Sequence, residues 1–289
     1  MTTDLSNKLE PSHAAVRVSV SMVTYHSSFD LLCKTIDALH RACDDVRSAG
    51  VALHLQFMIV DNSLEGLYRE RLRLLLLEDA QKKFDVVDMW HPGQNIGFGA
   101  AHNEALSRAD SDFHLVLNPD VEMAVDAMTV ALEYMILHPE VVMVNPRALN
   151  AQGQPQYLCK RYPSVAVLLL RAFAPEFLKK RFSEYLHSYE MRDRFHAGTE
   201  SDIPLASGCC MVTRTAALRA VDGFSARYFM YFEDFDLSLR LAVLGRLVYL
   251  PSMTIVHHGG YSAQKGWHHI SMFVRSGLTF FKRHGWCWI

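Results

Sequence analysis

Apolar residues along the chain come in short runs that end on polar clusters, and the runs alternate between two periods. Val16 to Thr24 is rich in β-formers and closes on Thr24-Tyr25-His26, while Leu31 to Ala49 carries Leu32, Ile36 and Leu39 at helical spacing. Leu53 to Val60 reads as a second strand ending at Asp61-Asn62-Ser63, Leu67 to Lys83 as a helix with Leu72, Leu75 and Leu76 inward, and Phe84 to Trp90 as a third strand. A glycine-rich stretch, Pro92 to Asn103, then leads into a helix through Leu106, and Phe113 to Leu117 is a fourth strand closed by Asn118-Pro119-Asp120. Strand, helix, strand predicts parallel neighbours joined by right-handed crossovers. Their carboxyl ends then share one edge, where open α/β sheets bind ligands, and Thr24, Asp61 and Asp120 all fall there.

The second half is less regular. Val125 to Leu137 is helical, Val141 to Val144 is a central strand, and Leu149 to Tyr162, with Gly153, Pro155 and Pro163 nearby, predicts a hairpin or irregular crossover. Val165 to Tyr185 combines apolar bulk with Arg171, Lys179, Lys180 and Arg181. That fits either a segment on an anionic membrane surface or a buried connector with a solvated basic end. A helix over Thr215 to Val221 follows, then strands Leu247 to Leu250 and Thr254 to Val256, the second delivering His257-His258-Gly259-Gly260-Tyr261-Ser262. Ile270 to His284 closes the chain as an amphipathic helix.

Composition narrows the class. The 289 residues are half hydrophobic with a formal net charge of -2, so a large core is within reach and no global basic field points to nucleic acid. Met1 to Ala15 is polar, carrying Asp4, Lys8 and Glu10 where a signal peptide needs an apolar stretch, and no run approaches the ~18 apolar residues of a membrane span. The expectation is a cytoplasmic protein, with peripheral contact at the inner face of the membrane left open. The six cysteines show no C-x-x-C pair and read as reduced thiols.

The chemistry concentrates in Tyr228 to Arg240, where Glu233, Asp234 and Asp236 follow a run of aromatics at a predicted helix start. The acids fit two readings: a cap on the helix dipole, with Asp236 and Arg240 an i,i+4 pair contributing ~0.3–0.5 kcal/mol, or a site in which one carboxylate is a general base with a raised pKa. The glycine turn does not fit G-x-G-x-x-G, because His102 stands at the third glycine position counted from Gly97. Asp61 and Asp120 are equally good turn formers. A nucleotide would account for the whole edge: Asp61 accepting hydrogen bonds from a base or ribose, amides near Gly97 approaching a diphosphate, and Asp120 holding a divalent cation, with His257 a candidate metal ligand.

In order along the chain, Thr24-Tyr25, Asp61-Asn62-Ser63, Asn95 to Gly99 with Asn103, Leu117 to Asp120, Ser207-Gly208, Gly223-Phe224, Phe229 to Leu237 and His257 to Ser262 resemble family-2 glycosyltransferases, in particular the bacterial rhamnosyltransferase-like branch. The resemblance implies a GT-A fold: an α/β, Rossmann-like, mostly parallel sheet flanked by helices. It also implies a nucleotide-sugar donor and inversion at the anomeric carbon. Asp234 takes the position of the catalytic base, and Asp120 and His257 those of the ligands to a divalent cation, Mg2+ or Mn2+. Thr24, Tyr25, Asp61, Asn62, Asn95, Gly97, Asn118, Asp120, Ser207 and Gly208 fall to the nucleotide sugar, and Glu233, Asp236 and Arg240 to the acceptor side. Asn118 departs from the generic Asp-x-Asp turn and leaves fewer acids on the metal.

The expected layout is a flexible tail over 1–15, a glycosyltransferase domain over 16–262 with nucleotide-binding (16–124) and acceptor (125–262) halves, and a helical extension over 263–289. The branch points to dTDP-L-rhamnose as donor and a saccharide or lipid-linked acceptor. UDP-hexose or UDP-galactofuranose donors and a non-catalytic glycan-binding scaffold are the alternatives. A nucleotidyltransferase would need a glycine-rich, Arg- and Lys-bearing loop after Val16 to Thr24 that the sequence lacks.

Overall fold

The computed structural model describes residues 15–259 and 267–289. β1 (Val16–Thr24), β2 (Leu53–Asp61), β3 (Val86–Trp90) and β4 (Phe113–Leu117) pair in parallel, joined in sequence by α1 (Phe29–Ser48), α2 (Gly66–Leu75) and α4 (Phe98–Arg108). The expected helix Leu67 to Lys83 is interrupted: α2 passes through a π turn at Leu76–Ala80 before α3 (Gln81–Lys83). Residues of β1 and of alternate positions in β2 are almost continuously buried, as expected of strands covered on both faces.

Beyond β4 the sheet becomes mixed. A short β5 (Val121–Met123), which the periodicity did not predict, precedes α5 (Ala127–Leu137) and β6 (Val141–Leu149). β7 (Pro155–Gln156) folds back on β6, so Leu149 to Tyr162 does begin as a hairpin. The connector then forms α6 (Val165–Phe173), α7 (Glu176–Arg181), α8 (Ser183–Tyr189) and α9 (Arg192–Ala197), followed by β8 (Ser201–Asp202), β9 (Cys210–Arg214), α10 (Thr215–Ala220), α11 (Glu233–Leu241), β10 (Arg246–His257) and α12 (Trp267–His284). The sheet order is β3-β2-β1-β4-β9-β6-β10-β5, with β9 antiparallel to both neighbours and β6 parallel to β10.

Two expected strands are one: β10 runs through Pro251, and its register against β6 shifts between Leu250 and Thr254, because proline cannot donate to the ladder. All six cysteines are free. The connector is not the buried one: Leu169 is 53% exposed, Phe173 65% and Phe177 70%. Of the predicted His257 to Ser262 motif, Gly260, Tyr261 and Ser262 lie outside the described residues, as does most of the N-terminal stretch.

Ser19 and Ser21 of β1 point into the core, yet their hydroxyls are satisfied. Ser19 bonds His114 Nδ1 at 2.7 Å, and Ser21 bonds His114 Nε2 at 2.8 Å and His102 Nδ1 at 2.7 Å. Burial pushes His102 well down and His114 to about 3, so both rings are neutral parts of a structural network.

Candidate active site

The parallel strands bring Thr24, Asp61 and Asp120 to one edge, as their positions at strand ends predict. Thr24 and Asp61 are register partners at the ends of β1 and β2, and Met22 pairs with Leu117, after which the chain turns at Asn118-Pro119-Asp120. Two strand spacings separate the Asp61 end from the Asp120 turn, roughly 10 Å, a span suited to a nucleoside at one end and its phosphates at the other. Asp61 is fully buried: its Oδ1 accepts from Thr24 Oγ1 and from the Ser63 amide, each at 3.0 Å, while Oδ2 has no protein partner. A buried carboxylate oxygen without a partner is costly and rare, so it fits an oxygen reserved for a bound group. Tyr25 stands exposed at the rim.

Gly97 has a different task from the one expected. Its amide donates to Asn95 Oδ1 at 3.0 Å, the Phe98 amide donates to Phe229 O at 3.1 Å, and the Ile96 amide reaches Asn62 Oδ1 at 3.5 Å. Asn62 Nδ2 in turn donates to Gly97 O at 3.1 Å. These amides are therefore spent inside the protein and do not face a diphosphate. Gly97 has φ +87°, and a Cβ there would lie 2.4 Å from Phe229 O. Glycine is needed to let this turn clasp the loop that precedes the acidic helix.

Asp120 and His257 meet across the β5–β10 pairing, with His257 Nε2 at 3.7 Å from Asp120 Oδ1. His257 Nδ1 donates to Gln156 Oε1 at 2.8 Å, and Gln156 Nε2 donates to His257 O at 2.9 Å. This fixes the tautomer with Nε2 as the lone-pair nitrogen on the Asp120 side. Burial holds the imidazole below its ordinary pKa, only partly opposed by Asp120, so it is neutral as a metal ligand must be. The pair fits a hard cation in donor type and orientation, as an incomplete set that a bound diphosphate would finish. Among the described residues no cluster of three or more metal-ligating side chains occurs.

The acids sit where the sequence placed them. α11 begins at Glu233, after Tyr231 and Phe232 in the left-handed region at φ +70° and +65°. Two consecutive non-glycine residues there are unfavourable and persist only when their surroundings fix them. Ser276 Oγ of α12 donates to Met230 O at 2.8 Å, and the Phe232 ring packs on Phe273 and Phe280. The result aims Asp234 at the cleft. Its Oδ2 accepts from the Gly208 amide at 3.1 Å and its Oδ1 from the Phe235 amide at 2.9 Å.

Burial raises the Asp234 pKa against those two donors, and raises that of Glu233 further through burial and then the Asp234 charge. Glu233 Oε2 is buried with no partner. The two carboxyls therefore lose their protons in sequence, Asp234 first. With Asp234 as the base, the active form is the ionised one, and kcat/KM is expected to fall as the pH is lowered through a range above that of an ordinary carboxylate. Glu233→Gln should leave this acid limb in place, since Glu233 is already neutral there. A pH profile whose limb moves downward in Glu233→Gln would reverse the assignment.

Asp236 and Arg240 lie away from the cleft. Asp236 is fully buried and accepts from Arg240 Nε at 2.7 Å, His284 Nε2 at 2.8 Å and Tyr228 Oη at 3.3 Å, with Arg283 Nη1 at 3.1 Å. The i,i+4 pair is real, but it is the centre of a buried junction between α11 and α12 and not a surface bridge.

Ser207 and Gly208 enter β9 beside the end of β4, where the Asn118 amide donates to Cys209 O at 2.8 Å. Both Asp120 and Asp234 act on the Cys209 thiol, which is pushed up to about 12, chiefly by burial. The cleft, about 780 Å³, is lined by Asp234, Ser207, Gln156, Lys160, Arg171 and Arg192 among others. Gln156, Lys160, Arg171 and Arg192 were not singled out as site residues from the sequence. Asn145 was also missed: its Nδ2 donates to Cys210 O at 2.8 Å and to Ser207 O at 3.2 Å, and a lone Asn inside the apolar run of β6 was the available signal.

The sheet carries Thr24, Asp61 and Asp120 at one carboxyl edge, with the Asp120–His257 pair beside it and Asp234 in the neighbouring cleft. Residues 19–221 match the family described as glycosyl transferase family 2, and the chain belongs to that family. It is 27% identical over 195 residues to an N-acetylglucosaminyl-diphospho-decaprenol L-rhamnosyltransferase of Mycobacterium tuberculosis, covering 63% of this chain and 62% of that protein. It is 25% identical to the rhamnosyltransferase WbbL of Escherichia coli, covering 68% and 74%. The chain therefore spans somewhat under two thirds of the length of the mycobacterial relative. Among solved structures, the mannosyltransferase PcManGT from Pyrobaculum calidifontis, in complex with GDP-Man and Mn2+, superposes with a TM-score of 0.61 at 16% identity, covering 95% of this chain and 66% of that one. This likeness establishes the GT-A glycosyltransferase fold.

Proposed function

We propose that the protein is an inverting glycosyltransferase that moves L-rhamnose from dTDP-L-rhamnose onto a lipid-linked saccharide in cell-surface polysaccharide biosynthesis. The observation that carries the reading is the position of Asp234, held in a cleft by two amides with its pKa raised, with Asp120 and His257 on the neighbouring strand ends. The names of the two rhamnosyltransferase relatives support the donor sugar, and that of the mycobacterial one supports a diphospholipid acceptor.

In this reading Asp61 and its neighbours hold the nucleoside. Asp120 and His257 hold a divalent cation, Mg2+ or Mn2+, which when bound offsets the charge of the leaving diphosphate. Asp234 accepts the proton of the acceptor hydroxyl as that oxygen attacks the anomeric carbon. The bond from carbon to phosphate oxygen breaks, and its electron pair leaves on the nucleoside diphosphate. One base and no covalent nucleophile give a single displacement and inversion. No helix of the described residues is long and apolar enough to cross a membrane. We place the enzyme at the membrane surface through α6 and α7, where exposed Leu169, Phe173 and Phe177 stand beside Arg171, Lys179 and Lys180.

The test is transfer from a panel of nucleotide sugars, with the linkage of the product read by NMR. dTDP-L-rhamnose is expected to be preferred and the new linkage to be inverted. Preference for a UDP-hexose would replace the donor, and retention of configuration would end the single-base mechanism.

A further inference from the structure

The connector and the C-terminal helix enclose a second cavity of about 690 Å³ that the transfer chemistry does not use. Leu168, Leu169 and Phe173 of α6 form one wall, and Phe273, Val274 and Leu278 of α12 the other. Its lining is almost wholly hydrocarbon, although Leu169, Phe173, Val274 and Leu278 are all exposed. An apolar groove of this extent on a protein surface marks a binding site.

Three observations say what occupies it. Arg171 lines this groove and also the cleft that holds Asp234, so the two cavities meet at one guanidinium. Tyr231, which lines the groove, lies three residues before Asp234. The junction is cationic as well: Arg171 and Arg192 share the Glu190 carboxylate at 3.7 Å and 2.6 Å, and Lys160 lines the same cleft. Burial lowers Lys160 only to about 8, which leaves it largely protonated at neutral pH. Three cations thus line the same cleft as Glu190 and Asp234, and Lys179 and Lys180 line a further hollow that also includes Arg171. Sugar site, cation cluster and apolar groove follow one another in that order.

We propose that this groove holds the proximal hydrocarbon of the acceptor lipid, with the acceptor's phosphates at Arg171 and its saccharide reaching Asp234. The inference rests on the lipid-linked acceptor reading and adds the subsite for the chain. A lipid phosphate matches the cavity in sequence, with an anionic group between a sugar and a long apolar tail.

The experiment compares two acceptors that carry the same saccharide diphosphate, one on a polyprenyl chain dispersed in detergent and one on a short, water-soluble alkyl chain. Leu169→Glu and Val274→Glu should raise KM for the polyprenyl acceptor by at least ~10-fold, the loss of about two buried methylenes, and leave short-chain turnover unchanged. That unchanged turnover also shows that the variants fold. Arg171→Ala should raise KM for both acceptors.

Equal KM effects on both chain lengths, or none, would overturn the groove assignment. So would variants that lose vesicle binding yet keep their affinity for the dispersed polyprenyl acceptor, since the patch would then only face the bilayer. Binding of polyprenyl phosphate, followed through the fluorescence of Trp286 in the groove wall, separates the two readings. Binding without transfer from any donor would end the proposed reaction and keep the groove, whereas transfer without chain preference would do the reverse.

Discussion

Asp234→Asn is expected to lower the transfer rate by roughly 10²–10⁴-fold while nucleotide binding persists, the range for loss of a positioned general base. The asparagine oxygen can still accept from Gly208 or Phe235, so the loop and helix start should hold. What disappears is the proton acceptor. Single-turnover kinetics gives the rate and calorimetry with the nucleoside diphosphate gives the affinity. Loss of both together would mean that Asp234 shapes the donor site instead, and an unchanged rate would remove it from the chemistry.

Asp236→Asn should be the most destabilising of the acidic substitutions. The carboxylate is fully buried, and Arg240, Arg283 and His284 all converge on it. Removing one member of a buried ionic cluster costs about 3–5 kcal/mol, and the lower end applies because Arg283 keeps contact with water. For a chain of this size that corresponds to a fall in Tm of roughly 5 °C, measurable by calorimetry. Activity should fall as well, because α12 also holds Met230 and Phe232, which set the direction of Asp234. We infer that Asp236 is a positioning residue: kcat should drop with little change in KM for the donor. A Tm within a degree or two of the parent would show the junction to be dispensable.

The parallel half of the fold was legible because β1, β2 and β4 are buried along most of their length and its strands end on polar turns. Thr24, Asp61 and Asp120 could be placed on one edge from period and turn chemistry alone. The acidic helix was legible too, down to the Asp236–Arg240 spacing, but spacing carries no information about depth. The same pair that would be worth about a few tenths of a kcal/mol on a surface is here a buried hub, because α12 supplies Arg283 and His284, the latter 48 residues further along the chain.

Gly97 shows the opposite limit. A glycine before a helix suggests an amide cradle, but the reason for it is a backbone carbonyl more than 100 residues away at Phe229. Gln156, Lys160 and Arg171 were hidden for a related reason: they lie in a connector with weak periodicity, and only the tertiary fold carries them to Asp234. Exposure of Leu169, Phe173 and Phe177 removes the buried-connector reading of Val165 to Tyr185, a property that amphipathic spacing over so short a stretch does not determine.

We propose that a cation site at Asp120 and His257 and the base at Asp234 serve one sugar carbon from opposite sides. Anomalous scattering from crystals grown with Mn2+ and the nucleotide sugar tests it most directly. The account predicts a manganese peak bound by Asp120 and His257 Nε2, with the anomeric carbon between it and the Asp234 carboxylate. A peak coordinated by neither residue, or a sugar whose anomeric carbon lies outside the Asp234 cleft, would contradict it.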